Sequence, residues 1–414
     1  MKRSPLTVIF ITVFIDLVSF GIVIPLLPFY AQQFDASGTT IGLLLSVFSL
    51  MSFLFMPLWG RISDRYGRRP VLLVTIFCSV IGYIIFANAF ALWLLFLARI
   101  MSGIGNANIS VAQAYISDVT SAKERAKGMG LIGAAFGLGF VFGPLIGGVF
   151  SGEAFGAYRF AIPGWIAVGL SLINFFMAYF MLPESLAQTK QDEIKAHHLI
   201  DVRGLQRAIK KENLGLLMIF FFIVTIAFSS IYATFPLFIM EEPFRLTSSA
   251  MGWFFVEIGI VSVIIQGGLI GRLNHRFGEQ RLISFGAIAM AIGFITFPLS
   301  AYLPIGGIVL LIISTALISM GSSCLAPTTM GLTSRLADVS EQGSILGIAQ
   351  SFASLGRMIG PFIGGAAYDY AGHKSPYYFA FVLMAVAAVM AFILKSRDLK
   401  LDEAPVAMEP VAEV

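Results

Sequence analysis

Apolar runs long enough to cross a hydrocarbon core recur twelve times in this 414-residue chain, at approximately 5–31, 41–60, 71–89, 91–117, 128–150, 161–182, 213–239, 250–270, 282–301, 305–333, 344–368 and 376–394. A helix rises 1.5 Å per residue, so about 20 such residues span a bilayer. Every spanning segment must satisfy its backbone hydrogen bonds without water, which leaves helices or a closed barrel. The runs are continuous rather than alternating, and this excludes the barrel. Composition removes the remaining alternative of a soluble enzyme: 12% of residues are charged, about half the roughly 25% that a water-exposed fold carries. The fold class expected is an all-α membrane protein of twelve transmembrane helices. The first run continues past Pro25 and Pro28 with no small-residue cleavage site after a short apolar core, so it reads as a span and not as a cleaved signal. Cys78 and Cys324 lie in separate runs with no metal-ligand spacing, so neither a metal nor a disulfide framework is expected.

The net charge of +4 at first suggests nucleic acid, but the basic residues form no single patch. With the N terminus placed in the cytoplasm, 22 of the 27 Lys and Arg fall in inside segments. Arg159, Arg245 and Lys374 fall outside, and Arg99 and Arg357 sit within spans. The positive-inside rule then puts both termini in the cytoplasm, and nucleic acid is not an expected partner.

The loop after the second span, Gly60-Arg-Ile-Ser-Asp-Arg-Tyr-Gly-Arg-Arg-Pro-Val-Leu72, returns after the eighth as Gly271-Arg-Leu-Asn-His-Arg-Phe-Gly-Glu-Gln-Arg-Leu-Ile283, an offset of 211. Gly143-Pro-Leu-Ile-Gly-Gly148 returns as Gly360-Pro-Phe-Ile-Gly-Gly365, an offset of 217. Two landmarks in the same order indicate a duplicated six-helix unit. Because six is even, the copies enter the membrane from the same side and are related by an axis along its normal. The division expected is a bundle at 1–182, a polar linker at 183–212, a second bundle at 213–395 and a disordered tail at 396–414, with His197 and His198 as solvated linker residues.

These motifs resemble the major facilitator superfamily over the whole chain to about residue 395. Gly60 to Leu72 resembles its loop signature, Arg99 with Gly103 and Gly105 its fourth-helix signature, and Gly139, Gly143, Pro144, Gly147 and Gly148 the fifth-helix signature of antiporters. Within the superfamily the chain is similar to twelve-helix drug–proton antiporters, and to tetracycline efflux proteins through Ser63 to Leu72, Tyr115-Ile-Ser-Asp118 and Phe136-Gly-Leu-Gly139. One departure is the eighth span, which carries Glu257 and has Ser262 where those proteins have a membrane histidine. The resemblance implies a cytoplasmic gate in which Asp64 sits near the N terminus of the eleventh helix and the basic pair Arg68-Arg69, with Arg65 alongside and Asp118 completing the charge network. His275 and Glu279-Gln280 stand at the corresponding positions of the second half, so that copy is expected to have kept the turn and lost the gate. Gly60 and Gly67 are expected to form tight turns.

Four charges lie inside spans, where each needs a reason. Asp16 is about 16 Å along the first helix, near the midplane. Burial favours the neutral form of a carboxyl, so its charge can switch with access to either side. It reads as a proton carrier, against the alternative of a permanently paired structural acid. Arg99 lies within about a helical turn of the same depth, where it can pair with Asp16 or with carbonyls of broken helices. Glu257 and Arg357 share a depth of about 10 Å from the outer surface and form a second candidate pair, structural or substrate-binding. Gly139, Gly143 and Gly147 line one face of the fifth helix, as Gly356, Gly360 and Gly364 line one face of the eleventh. Both stripes are expected to allow close contact and sliding between the halves, or else simple tight packing, with kinks at Pro144 and Pro361. Tyr232 is a candidate cavity wall.

No ATP-binding loop is present. The expectation is a secondary transporter, not an enzyme, using no cofactor and driven by the proton gradient. It would work as a monomer among membrane lipids in a bacterial inner membrane, exporting small amphiphilic molecules by antiport. Its rivals are proton-coupled uptake or lipid flipping on the same fold, and a membrane receptor or scaffold that transports nothing.

Overall fold

The computed structural model describes residues 5–120, 125–186, 212–241, 243–303, 306–336 and 342–396. The linker beyond residue 186, with His197 and His198, and the tail from 397 lie outside the described residues. The described chain is helical, without strands. Eleven stretches are long and apolar enough to cross a membrane, and Gln342–Ala371 supplies the twelfth span.

Two spans of the first half are interrupted. The first divides at Pro25 into α1 (Pro5–Val23) and α2 (Leu27–Gln32), with a proline also in the first turn of α2. Proline removes a backbone donor, so an interior break is its ordinary consequence. α3 (Gly38–Tyr66) and α4 (Arg68–Ala87) follow, and then the fourth span divides at Ala107-Asn108 into α5 (Leu92–Asn106) and α6 (Ile109–Val119). α7 (Arg125–Phe150) and α8 (Ala161–Met181) complete the first half. The second half comprises α9 (Glu212–Met240), α10 (Ser248–Ser262), a π-helical stretch (Val263–Leu269), α11 (Ile270–Phe277), α12 (Glu279–Leu299), α13 (Gly307–Leu336), α14 (Gln342–Ala371) and α15 (Ser375–Ser396).

Gly60 differs from expectation. It lies inside α3, whose helix continues to Tyr66, and the turn is made by Gly67 alone, at φ 101° and ψ 154°. Gly278 repeats that conformation in the second half, at φ 77° and ψ 159°. Such positive φ values are costly for residues with a Cβ. α7 and α14 both run through their prolines, Pro144 and Pro361, without interruption.

The glycine stripes follow the tight-packing alternative, each within its own half, and not the sliding contact between halves. Gly139, Gly143 and Gly147 press on Leu17, Gly21 and Ile22 of α1, within the first half. Gly356, Gly360 and Gly364 press on Thr225, Ser229 and Ser230 of α9, within the second. The halves meet one residue further along, where Gly148 abuts Gly252 of α10 and Gly365 abuts Gly38 of α3. One face of each helix is taken up by its own bundle, so the adjacent glycine is the one left to face across.

Arg68, Glu184 and Arg335 mark the basic face, and Gly38 and Ala371 the opposite face. One core cluster joins residues of both halves, among them Ile22, Ile41, Phe235 and Phe254. A second draws only on the first half, including Ile9, Val71 and Ile116, and a third only on the second half, with Leu214, Met218 and Ile345. The described hydrogen bonds between halves likewise lie at the opposite face: Ser248 Oγ to the Ser151 carbonyl, 3.1 Å, Ser249 Oγ to that of Gly148, 2.9 Å, and those to Asp369 described below. Among the described residues the bundles are therefore packed together at the opposite face and part toward the basic one.

Candidate transport and gating sites

Asp16 is buried on α1. The amide of Asn108 donates to one carboxylate oxygen and the amide of Asn174, on α8, to the other at 3.1 Å. Asn174 also donates to the Thr12 carbonyl at 3.0 Å, which fixes its orientation. Asn108 reaches the site because it stands at the break between α5 and α6. The sequence alone gives neither asparagine a role beside Asp16: Asn108-Ile-Ser110 matches a glycosylation acceptor within a span, and Asn174 belongs to no motif. A neutral amide in an apolar span carries no charge cost to draw attention, although Asn174 is fully buried.

The anticipated Asp16–Arg99 pair is not formed. Arg99 is 2% exposed, and its guanidinium carbon lies 4.1 Å from the ring centre of Phe48 and 5.8 Å from that of Phe20. Its Nε and Nη1 have no hydrogen-bond partner. Aromatic faces attract the cation through their quadrupole, so Arg99 is stacked rather than ion-paired, while the amides occupy both oxygens of Asp16.

The second pair is separate as well. Both carboxylate oxygens of Glu257 are buried without a hydrogen-bond partner. The nearby Thr315 hydroxyl is committed to the Leu311 and Ile312 carbonyls of its own helix. Arg357 donates its described hydrogen bond to Ser354 Oγ, 3.0 Å away on α14, and is an electrostatic neighbour of Tyr232 on α9. Tyr232 stacks on Phe255 at 6.4 Å and meets Phe228 edge-on at 5.5 Å. Ser262 lies in a serine cluster, accepting from Ser323 at 3.0 Å and lying 3.3 Å from Ser319.

At the basic face Arg68 is the hub. It lies 2.5 Å from Asp64 and 3.1 Å from Asp118, and donates to Ser63 Oγ at 2.7 Å. Asp64 thus finds its described partner inside its own half. Arg69 donates to the Tyr179 carbonyl and lies over that ring, and Arg65 lies over Tyr66. Glu184 was not anticipated. Its carboxylate accepts from the backbone N–H of Arg68 at 2.8 Å, Arg69 at 3.1 Å, Ser185 at 2.9 Å and Leu186 at 3.0 Å. It caps α4 in place of a side chain from Gly67, which has none, and a Cβ at Gly67 would strike it.

The second half has not lost this arrangement. Glu279 stands 211 residues after Arg68 and Arg335 stands 217 after Asp118, the two offsets of the repeat. They form an ion pair of 3.1 Å. The link between the helices is kept with its charges exchanged, which residue-type matching along the repeat does not detect.

At the opposite face Asp369 of α14 accepts from the backbone N–H of Gly38 at 2.9 Å and from the N–H and hydroxyl of Thr39 at 2.7 and 2.6 Å. Asp369 follows the apolar part of its helix.

A profile of the Major Facilitator Superfamily matches residues 9–310 and 217–412. The chain belongs to the major facilitator superfamily. It is 31% identical over 371 residues to the class C tetracycline resistance protein of Escherichia coli, covering 89% of this chain and 90% of that one. It is 28% identical over 400 residues to multidrug resistance protein 2 of Bacillus subtilis, 96% of each chain. Among solved structures, the human organic anion transporter MFSD10 matches with a TM-score of 0.70 at 23% identity, covering 94% and 99%. The nucleoside transporter NupG matches at 0.75 and 14% identity, covering 95% and 98%. At such identities the structural likeness speaks for the fold alone. As a superfamily member the chain is a multi-pass membrane transporter of small molecules, with no enzymatic activity.

Proposed function

We propose that this transporter exports amphiphilic, drug-like molecules in exchange for protons, by alternating access between the two halves. The observation that carries the reading is the state of Asp16: a buried carboxylate held by two neutral amides, with no cation among the described residues within salt-bridge distance. An ion pair would lock such a group in its charged form, whereas amide donors stabilise it without fixing its proton. Asp16 takes a proton from one side and releases it to the other, and Arg99 supplies the positive field that favours release. Glu257, Arg357 and Tyr232 face the substrate, whose class is supported by the names of the resistance-protein relatives.

In this reading the basic face is cytoplasmic, in a bacterial inner membrane, and a monomer suffices because both bundles are in one chain. The network of Asp64, Arg68 and Asp118 belongs to the cytoplasmic gate. With that gate closed, Asp64 meets the start of α14, as the family resemblance implies. The test is purified protein in liposomes under an imposed pH gradient, with internal pH followed while dyes, tetracyclines and lipids are offered. Substrate-dependent proton movement opposite to substrate flux is expected. Co-directional movement indicates uptake, competition by lipid headgroups indicates a flippase, and absence of any flux indicates a receptor; each overturns the proposal.

A further inference from the structure

We propose that Asp369 is a gate-positioning residue: it holds the opposite face closed by capping the N terminus of α3, and alternates in this role with Asp64 at the other end of the same helix pair. The inference rests on the reading of Asp64 given above.

The first backbone donors of a helix lack intrahelical acceptors. In α3 they are satisfied by two different bundles. Ser37 of the first half accepts from the N–H of Thr40, and Asp369 of the second half accepts from those of Gly38 and Thr39. The cap is therefore complete only while the halves touch at this face. Contact is close, because a Cβ at Gly365 would run into the Gly38 carbonyl and one at Gly42 into that of Pro361. Asp369 is fixed to its own bundle by its neighbour Tyr368, which donates to Glu241 of α9's end at 2.6 Å and stacks on His373 at 4.5 Å. His373 in turn lies 2.6 Å from the second oxygen of Glu241. Rotation of the second half thus carries Asp369 with it.

α3 runs from the opposite face to the basic face and α14 runs back, so each helix ends on the face where the other starts. Asp64 is the third residue from the end of α3, and Asp369 the third from the end of α14. Each is an anion placed to meet the positive end of the partner helix. About 40 Å separates the two ends of a helix this long, so rocking two rigid bundles brings one junction together as it parts the other. Here Asp369 is engaged and Asp64 is turned to Arg68.

The test measures distances by pulsed electron resonance on the full chain in nanodiscs, with Cys78 and Cys324 replaced by Ala. One pair of labels replaces the exposed Tyr158 and Tyr302 at the opposite face, and the other Tyr66 and Phe277 at the basic face. Asp369→Ala and Asp369→Asn should raise the population with a long opposite-face distance and a short basic-face distance by about two- to fivefold, the factor an anion at an exposed helix terminus commands. Asp64→Ala should shift it the other way, and the double variant should return toward the parent. Unchanged distributions in both Asp369 variants, or a double variant that does not rebalance, overturn the proposal. If Asp369→Ala does not fold, Asp369→Asn and Thr39→Val decide the matter on the same readout. No substrate or pH gradient is used, so failure here is distinct from failure of proton antiport.

Discussion

The two halves carry one architectural plan with opposite electrostatics. In the first, Arg68 begins the helix after the glycine turn and Asp118 answers it; in the second, Glu279 begins that helix and Arg335 answers. The first half surrounds its buried acid, Asp16, with amide donors, while Glu257 has no hydrogen-bond partner. Helix positions common to both copies are set by packing, and packing is indifferent to the sign of a charge. What each copy does with protons or substrate depends on the few polar groups around its acid, and there the copies have diverged.

The sharpest way to break this contrast is at the two acids. Asp16→Asn should abolish gradient-driven transport, a loss of more than about tenfold since the carrier itself is removed, while thermal unfolding in detergent stays near the parent. Transport that still follows the pH gradient in this variant would falsify the role of Asp16. Glu257→Leu should behave in the opposite way on stability. Removing a buried carboxylate without partners is expected to stabilise by about 1–3 kcal/mol, visible as a raised melting temperature, while substrate affinity falls in equilibrium binding. A lowered melting temperature would mean that Glu257 is held by something the static arrangement does not reveal.

Smaller effects sharpen the comparison at the basic face. Glu184→Ala leaves the first donors of α4 uncapped and should cost about 0.5–2 kcal/mol, with Glu184→Gln intermediate, measured by unfolding and by faster amide exchange at Arg68 and Arg69. Arg335→Ala should cost least, about 0–1 kcal/mol, because its side chain is 47% exposed and water screens the pair. Exchanging the charges in Glu279→Arg with Arg335→Asp should recover that loss if the halves are electrostatic mirror images.

Much of this protein was legible without coordinates. The number of spans, the duplication and the superfamily follow from repeats in the chain, because lipid forces each helix to be long, apolar and self-satisfied. Asp16 was legible for the same reason, as a charge where charge is expensive. Its partners were not. Depth along a helix makes Asp16 with Arg99, and Glu257 with Arg357, candidate pairs, but equal depth says nothing of azimuth. The break at Asn108 and the rings of Phe20 and Phe48 directed those groups elsewhere. Gly60 was misread as a turn because its motif was taken whole, when only Gly67 adopts a positive φ.

The sequence by itself determined that this chain is a twelve-span membrane transporter built from two copies of one unit, since hydropathy and repeat spacing are properties of the linear chain. Only the tertiary structure decided which face is closed, that each glycine stripe binds its own bundle, and that Asp369 completes the cap of a helix 330 residues away in sequence. Those outcomes depend on which side chains meet across helices, and a hydrogen bond of less than 3 Å is fixed by packing, not by spacing along the chain.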